Sequence, residues 1–243
     1  MAHAQSAEVP SIGRTRTLAI DVGGTGLKAS IVDESGRLLT DRARVDTPVG
    51  APPKEIVQAL VQLVQPLGAY DRVSVGFPGV VRHGVVLTAP NLGSDKFRGF
   101  DIDGAIEKSL GKPTRVMNDA DVQGFAACHG KGVEMVITLG TGFGTALFVD
   151  GHIGPHLELA HHPFRKGETY DEQLGNAALE RVGKRRWNKR VKRAIKNLRT
   201  LTNFDRLYIG GGNAKKIDFE LDPDVTIVDN SAGLAGGVAL WRE

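Results

Sequence analysis

Two glycine-rich turns contain the residues of this sequence that are best suited to bind phosphate. The first reads VGGTG over residues 22–26, directly after Asp21, and the second reads GTG over residues 140–142. Successive backbone N–H groups in such a turn form a concave anion site, and glycine lets a phosphate approach the backbone closely. Asp21 could orient a metal ion or its waters. The residues that the two turns offer to a phosphate are Asp21, Gly23, Gly24, Thr25, Gly26, Lys28, Thr138, Gly140, Thr141 and Gly142.

The first turn matches neither of the two familiar nucleotide-binding loops. Gly24, Gly26 and Ala29 have the spacing of the dinucleotide fingerprint, but that motif requires a helix after the glycines. The segment that follows, LKASIVDESGRLL, has strand composition and a hairpin signal instead. A P-loop requires Ser or Thr after its lysine, whereas Lys28 is followed by Ala29. The turn is therefore predicted to join two strands. The alternative is an ordinary hairpin with glycines at positive φ, and the presence of two such turns favours phosphate binding.

Alternating strands and helices must position these turns. Apolar runs predict strands over residues 17–21, 27–33, 38–45, 72–77, 85–88, 114–118, 135–139, 145–149, 206–209 and 225–228. Helical spacing and stop signals predict helices over residues 54–67, 102–110, 119–128, 170–182, 187–202 and 231–241. LAIDVGGTGLKASIV and MVITLGTGFGTALFV are both strand, glycine turn and strand, which indicates a duplicated domain. The element order predicts the α/β class.

The two turn segments resemble the phosphate motifs of the sugar-kinase, actin and Hsp70 superfamily. The segments VGFPGVV, TAPNL, VMNDADVQGFA, ITLGTGFG, LELAHH and IGGG occur in the order typical of the ROK family of sugar kinases and repressors. The resemblance covers about residues 17–243, and within the family the chain looks most like the polyphosphate glucokinases. It implies two actin-like (ribonuclease H-like) α/β domains with a ligand cleft between them.

The resemblance also implies a division of the chain. A flexible tail would span residues 1–16, a small N-terminal domain residues 17–117 and a large C-terminal domain residues 118–243. The last helix, residues 231–243, could pack back onto the small domain.

Site residues follow from the same resemblance. Asn118 and Asp119 lie between a predicted strand and a predicted helix, where both residue types are preferred caps. The family motif makes Asp119 the catalytic base, and the helix dipole predicts that its carboxylate stays ionised. Glu158 and His161 would bind sugar hydroxyls. The remaining residues implied are Asn91, Asn118 and Gly79 for the sugar, and Gly211 and Gly212 for the nucleotide.

Three features of this region depart from the family pattern or leave a choice open. Ala160 replaces a glycine of the family's Glu-x-Gly-His motif, which puts the placement of His161 in doubt if that position needs positive φ. The Cys-rich zinc motif of many members is absent, so another structure must brace this loop. A further acidic residue that binds the sugar could be Glu168, Asp171 or Glu172.

Residues 181–199 form a strongly basic segment in an otherwise acidic chain. The segment has ten Lys and Arg residues and no acid, and without it 21 basic residues face 28 acidic ones, a balance of −7. Nucleic acid, an anionic membrane surface and inorganic polyphosphate are possible partners. Because no nucleic-acid-binding module is recognisable, polyphosphate is the interpretation we prefer, although an ATP-dependent enzyme could carry the same helix. The predicted polyphosphate track is Lys184, Arg185, Arg186, Lys189, Arg190 and Arg193.

Composition limits the remaining possibilities. The single Cys128 excludes an intramolecular disulfide and fits a cytoplasmic protein, and no apolar run is long enough to span a membrane. We therefore expect a cytoplasmic, homodimeric protein that binds neither DNA nor a membrane. The family resemblance implies an enzyme that uses Mg²⁺ to transfer a phosphoryl group from polyphosphate or ATP to the 6-hydroxyl of glucose or a close hexose. The alternatives are an ATP-only hexose or N-acetylhexosamine kinase and a non-catalytic sugar sensor.

Overall fold

A computed structural model describes residues 15–228 and 236–241. Of the predicted tail only residues 15 and 16 are among them, and residues 231–235 of the predicted last helix lie outside them. The strands are β1 Thr17–Val22, β2 Gly26–Val32, β3 Ala43–Asp46, β4 Arg72–Phe77, β5 Val81–Arg82, β6 Val85–Val86, β7 Thr114–Asn118, β8 Val133–Leu139, β9 Phe143–Val149, β10 His152–Ile153, β11 Pro163–Arg165, β12 Glu168–Thr169, β13 Arg206–Gly210 and β14 Val225–Ile227. The α-helices are α1 Pro53–Val64, α2 Ser94–Phe97, α3 Ile102–Leu110, α4 Asp119–Ala127, α5 Tyr170–Leu174, α6 Asn176–Val182 and α7 Lys184–Thr202.

The two main sheets have the same strand order. The first sheet is ordered β3-β2-β1-β4-β7 and the second β10-β9-β8-β13-β14. In each sheet the first three strands are antiparallel, and the central strand then pairs in parallel with the strand that follows a crossover. The matching order confirms the duplication predicted from the two glycine-turn segments. In both halves the glycine turn joins the central strand to its hairpin partner.

Helices cover both sheets on their outer faces. Helices α1 and α3 pack on the first sheet around Ile56, Leu60 and Ile106, all of which are buried. Helices α5 to α7 pack on the second sheet, and the apolar stripe of α7, which includes Trp187 and Val191, is buried there as its spacing predicted.

Helix α4 lies between the two halves and packs against both sheets. Its Gly124 lies so close to β8 and β9 that an added Cβ atom would meet the Phe148 ring at 2.3 Å. Residues 236–241 form a 3-10 helix that contacts α4, β1 and β4. The Trp241 indole N–H donates to Ser74 Oγ at 2.8 Å, and Ser74 Oγ donates to the Gly237 carbonyl. The end of the chain is thus tied to the first sheet.

The strand predicted over residues 38–45 is wrong in its first half. Only Leu38 forms an isolated bridge to Val32, and the regular strand begins at Ala43. The Thr40 side chain accepts from the Ile31 N–H and bonds Ser30 Oγ. These side-chain bonds take the place of a backbone ladder along this part of β2, which explains the shorter strand.

Candidate active site

Two adjoining cavities lie in the cleft between the sheets. The larger, of about 330 Å³, contains ten of the residues predicted to bind phosphate, together with Gly211. Gly212 is exposed and does not line it. The smaller cavity contains the residues predicted to bind the sugar. Five residues border both cavities, namely Pro78, Asn91, Asp119, Thr138 and Gly142.

Each glycine turn is closed by a backbone hydrogen bond between two of its glycines. The Gly23 N–H donates to the Gly26 carbonyl, and the Gly140 N–H donates to the Gly142 carbonyl, each at 3.0 Å. Thr47 Oγ1 also donates to the Gly23 carbonyl at 2.6 Å, so the first turn is fastened from the loop after β3. A donor phosphate placed in the larger cavity would lie between these two rigid turns.

Two charged side chains meet at the first turn. Asp21 is half-buried near the end of β1 and Lys28 lies opposite it on β2, and their carboxylate and ammonium groups are 2.8 Å apart. Both line the larger cavity. Lys28 thus neutralises part of the charge of Asp21, and it remains close enough to the cavity to attract phosphate oxygens.

Asn118 caps helix α4 and fixes the loop beside it. Its Oδ1 accepts from the Ala120 N–H at 2.8 Å, and its Nδ2 donates to the Gly79 carbonyl at 3.1 Å. An added Cβ at Gly79 would lie 2.0 Å from the Thr88 carbonyl oxygen, so this position requires glycine. Asn118 therefore joins the start of α4 to one wall of the smaller cavity.

Asp119 is the first residue of α4 and lies at the boundary of the two cavities. Burial, together with the nearby Asp21 and Asp121 carboxylates, raises its pKa to about 7. The expectation that the helix dipole keeps this carboxylate ionised is wrong for the free protein near neutral pH. Desolvation and neighbouring negative charge outweigh the dipole, because the dipole contributes only about 0.3–1 kcal/mol at most exposed sites. A carboxyl group with this pKa can exchange a proton near neutral pH.

Glu158 and His161 lie on one short turn at the mouth of the smaller cavity. Residues Leu159–His161 form a 3-10 helix that begins after Glu158. Ala160 is not among the residues with positive φ, so the replacement of glycine causes no strain here. Both predicted sugar ligands line the cavity, and His161 is exposed towards solvent.

Of the three acidic candidates left open by the sequence, Asp171 lines the smaller cavity. Its Oδ1 accepts from the Phe143 N–H at 2.7 Å, directly after the second glycine turn. Glu172 instead forms a capping box with Thr169, and Glu168 pairs with Arg181 at 3.3 Å. These local partners account for the two other acids.

An aromatic cluster braces the loop where many family members have a zinc motif. The Phe164 and Tyr170 ring centroids are 4.6 Å apart, and Phe143 stacks on Tyr170 at 5.2 Å. This cluster connects the hairpin of β11 and β12 to the second glycine turn. Within residues 15–228 and 236–241, no group of three or more His, Cys, Asp or Glu side chains is arranged to hold a metal ion.

Sequence reasoning missed Pro78 and two polar residues of the larger cavity, Arg42 and Gln123. Gln123 is four residues after Asp119 on α4, so helical spacing from the predicted base would have found it. Arg42 lies on the irregular segment before β3, where no local pattern indicates its direction.

Part of the predicted basic track converges on a separate surface pocket. Its lining residues are Arg165, Arg186, Lys189, Arg190 and Arg193. Arg165 comes from β11 and was not predicted. Lys184 is instead 3.7 Å from Asp218, and Arg185 does not line the pocket. Burial and the neighbouring cations Arg165 and Arg181 lower the pKa of Arg190. The five residues that line the pocket are all cations, and of the nearby charges that act on Arg190 only Glu168 is negative. Such a concentration of positive charge is typical of an anion-binding surface.

The two sheets have the same strand order, and a glycine turn from each lines the cleft between them. This arrangement defines an actin-like fold, as the sequence predicted. The sequence profile of the ROK family matches residues 17–168. The chain belongs to the ROK family. No helix in the described part of the chain is long and apolar enough to cross a membrane.

Three known proteins illustrate the similarity. The polyphosphate glucokinase of Mycobacterium tuberculosis is 32% identical over 225 residues, which cover 88% of this chain and 84% of that protein. The inorganic polyphosphate/ATP-glucomannokinase of Arthrobacter sp. strain KM is 32% identical, with a TM-score of 0.84 over 93% of this chain and 98% of that one. A ROK family glucokinase from Streptomyces griseus, solved with glucose and AMPPNP, is 20% identical, with a TM-score of 0.77 over 94% and 99% of the two chains, and shows the shared fold.

Proposed function

We propose that this chain is a glucokinase that transfers a terminal phosphoryl group from inorganic polyphosphate or ATP to the 6-hydroxyl of glucose. The observation that carries the proposal is that Asp119 lines both cavities. A hydroxyl bound in the smaller cavity and a phosphate bound in the larger one would meet at this carboxyl group. The names of the Mycobacterium and Arthrobacter relatives support the same donor and acceptor classes. A cytoplasmic location is part of this proposal.

Asp119 acts as the general base in this mechanism. Its carboxylate accepts the proton of the sugar hydroxyl as the oxygen attacks the terminal phosphorus atom, and the bond to the leaving phosphate breaks. Phosphoryl transfer through a loose transition state depends mainly on positioning and charge stabilisation. The N–H groups of the two glycine turns and the Lys28 ammonium supply positive charge around the phosphate.

The sugar is held by groups that line the smaller cavity. Carboxylates accept hydrogen bonds from adjacent hydroxyls, and Glu158 and Asp171 face the cavity from two separate elements. His161 and Asn91 complete its polar wall. Asn118 contributes by capping α4 and fastening the Gly79 loop, because its own side-chain groups are used for those bonds.

The residues of the larger cavity fit a bound Mg²⁺ ion. Magnesium is commonly held through one or two carboxylates together with substrate phosphates and waters, rather than by an all-protein cage. Asp21 provides such a carboxylate beside the first turn, and Asp119 is near enough to it for their charges to interact. When bound, the ion would neutralise charge on the donor phosphates.

The proposal is tested by measuring glucose 6-phosphate formation by the full chain with ATP and with polyphosphate as separate donors. We expect formation with at least one donor, and a loss of about 10²-fold or more in kcat for Asp119→Asn. Glucose binding by Asp119→Asn, measured without donor, should persist and serves as the control for folding. Absence of glucose phosphorylation with both donors, or unchanged turnover by the variant, would contradict the proposal. Phosphorylation of N-acetylhexosamines in preference to glucose would replace the proposed acceptor.

A further inference from the structure

Three charged side chains form a cluster beside the smaller cavity, in which Glu158 is the most exposed side chain at 31%. His156 Nδ1 lies 3.2 and 3.3 Å from the two Asp121 carboxylate oxygens, and its Nε2 lies 3.7 Å from Glu158 Oε2. The side chains of His156 and Asp121 are 15% and 7% exposed, respectively. The imidazole ring therefore bridges two carboxylates that come from different elements, α4 and the loop before the 3-10 helix.

The contact between His156 and Glu158 is incomplete. His156 Nε2 and Glu158 Oε2 are both shielded from solvent, and neither finds a hydrogen-bond partner among the described residues. Their 3.7 Å separation exceeds normal hydrogen-bond length. A small movement of the Glu158 side chain towards the ring would satisfy both atoms, which otherwise carry the cost of unmade buried hydrogen bonds.

The ring can serve both carboxylates only in its doubly protonated form, since a neutral imidazole has one N–H donor. The hydrogen bond to Asp121 and the proximity of Glu158 raise the pKa of His156 to about 9 despite its burial. The charged groups that face the ring are Asp121 and, at longer range, Asp119 on α4, and Glu158 on its own loop. At neutral pH the ring therefore carries a positive charge and lies between the carboxyl groups of Asp121 and Glu158.

The cluster connects a sugar-binding group to the helix that carries the base. Glu158 lines the smaller cavity, whereas His156 does not. Asp121 follows Asp119 by two residues, and its N–H is directed to the Asn118 cap. Thr145 Oγ1 donates to the Leu157 carbonyl, so the backbone between His156 and Glu158 is also fastened to β9. The His156 side chain thus lies between Glu158 and helix α4.

We propose that His156 is a positioning residue for hexose binding, which holds the Glu158 carboxylate towards the sugar by anchoring it to Asp121 on α4. The inference rests on the proposed function. Loss of the imidazolium would leave two buried carboxylates close together without a cation. The Glu158 side chain would then turn away from Asp121 and would no longer be held towards the sugar as an acceptor for its hydroxyls.

The test compares His156→Gln with a matched control, His152→Gln. His152 is an exposed histidine of the same segment, and its ring bonds the Asp150 carbonyl. Glucose binding is measured by calorimetry without donor, and KM and kcat are measured with each active donor. For His156→Gln we expect the Kd and the KM for glucose to rise about tenfold or more. The KM for the donor and kcat should change much less, and the control should match the wild type.

A second variant separates positioning from simple charge balance. In Asp121→Asn/His156→Gln the buried acid on α4 is neutral, so no uncompensated charge remains there. If His156 only balances the charge of Asp121, the double variant recovers wild-type glucose affinity, and the inference is wrong. If His156 positions Glu158, the affinity stays low. Wild-type affinity in His156→Gln would also overturn the inference, whereas absence of glucose binding in the wild type would overturn the proposed function itself.

Discussion

At the scale of single residues, the environment of Asp119 decides the protonation state of the proposed base. Its pKa of about 7 results from burial and from the adjacent Asp21 and Asp121 carboxylates. The base must be deprotonated to accept a proton, and the free protein has only about half of it in that form at neutral pH. The environment that brings the pKa of Asp119 near neutral also makes its ionised form lower the stability of the folded protein.

The environment of Asp119 predicts that activity rises with pH while the free energy of unfolding falls. Between pH 5.5 and 8.5, kcat/KM for glucose should rise with an apparent pKa near 7. The folded pKa lies above the unfolded value, so ionisation of Asp119 lowers the free energy of unfolding as pH rises from about 4 through 7. At pH 8 we expect Asp119→Asn to be more stable than the wild type by roughly 1–3 kcal/mol. Urea denaturation at pH 8 and pH 4.5 checks this, and an equal effect at both values would contradict it.

At the scale of elements, helix α4 contacts both sheets and positions residues of both cavities. It places Asp119 at the boundary of the cavities, Gln123 in the larger cavity and Asp121 beside His156. Its close contact with the second sheet depends on Gly124, which faces the buried Phe148 ring. Alanine has the higher helix propensity by about 1 kcal/mol, so only the lack of space explains a glycine here.

Gly124→Ala is therefore expected to destabilise the protein although it favours the helix. We expect a loss of about 1–3 kcal/mol in the free energy of unfolding, because the added methyl group overlaps the Phe148 ring. Chemical denaturation measures the loss. In a Phe148→Leu background, where the ring is absent, the same substitution should cost less or become favourable. Equal costs in the two backgrounds would show that this contact is not the cause.

At the scale of the whole molecule, charge is distributed unevenly around a cleft that is itself rich in acids. The basic pocket joins α7 to Arg165 on β11, and Arg165 and Arg190 both contact Gln173 on α5. The same short helix contributes Asp171 to the smaller cavity. A long polyanion bound at the basic pocket would therefore lie next to an element of the proposed active site, which supports polyphosphate as a donor.

This arrangement predicts that the two donors respond differently to loss of surface charge. Arg186→Gln/Lys189→Gln removes two exposed cations of the basic pocket. The matched control, Lys192→Gln/Lys196→Gln, removes the same charge from another part of α7, beside Phe219. We expect the first pair to raise the KM for polyphosphate several-fold more than the control, with the KM for ATP unchanged in both.

The contribution of the basic pocket to polyphosphate binding should also weaken with salt, because exposed charges are screened over about 10 Å at 0.1 M ionic strength. Steady-state kinetics with polyphosphate at about 0.02 M and about 0.3 M salt measure this effect of salt on the KM. Equal losses with both donors would indicate a defect in folding. Equal effects of the two variant pairs would indicate general electrostatic attraction rather than a defined track.

The local parts of the site could be predicted from the sequence. The two glycine turns, the Asn118 cap and the apolar stripe of α7 follow from short-range spacing, since backbone approach, capping and amphipathicity involve neighbouring residues. The repeated strand–turn–strand segment also indicated a duplicated domain, and the two sheets have the same strand order.

Only the tertiary structure decided how distant residues modify one another. Asp171 was distinguished from Glu168 and Glu172 by its contact with Phe143, and Arg165 joined the basic pocket from another element. The pKa of Asp119 and the bridge from His156 to Asp121, 35 residues away, depend on burial and on charges brought together by folding. By itself the sequence determined which groups could do chemistry and where the chain turns. Solvent exclusion and long-range electrostatics, which exist only in the folded chain, decided which groups act together.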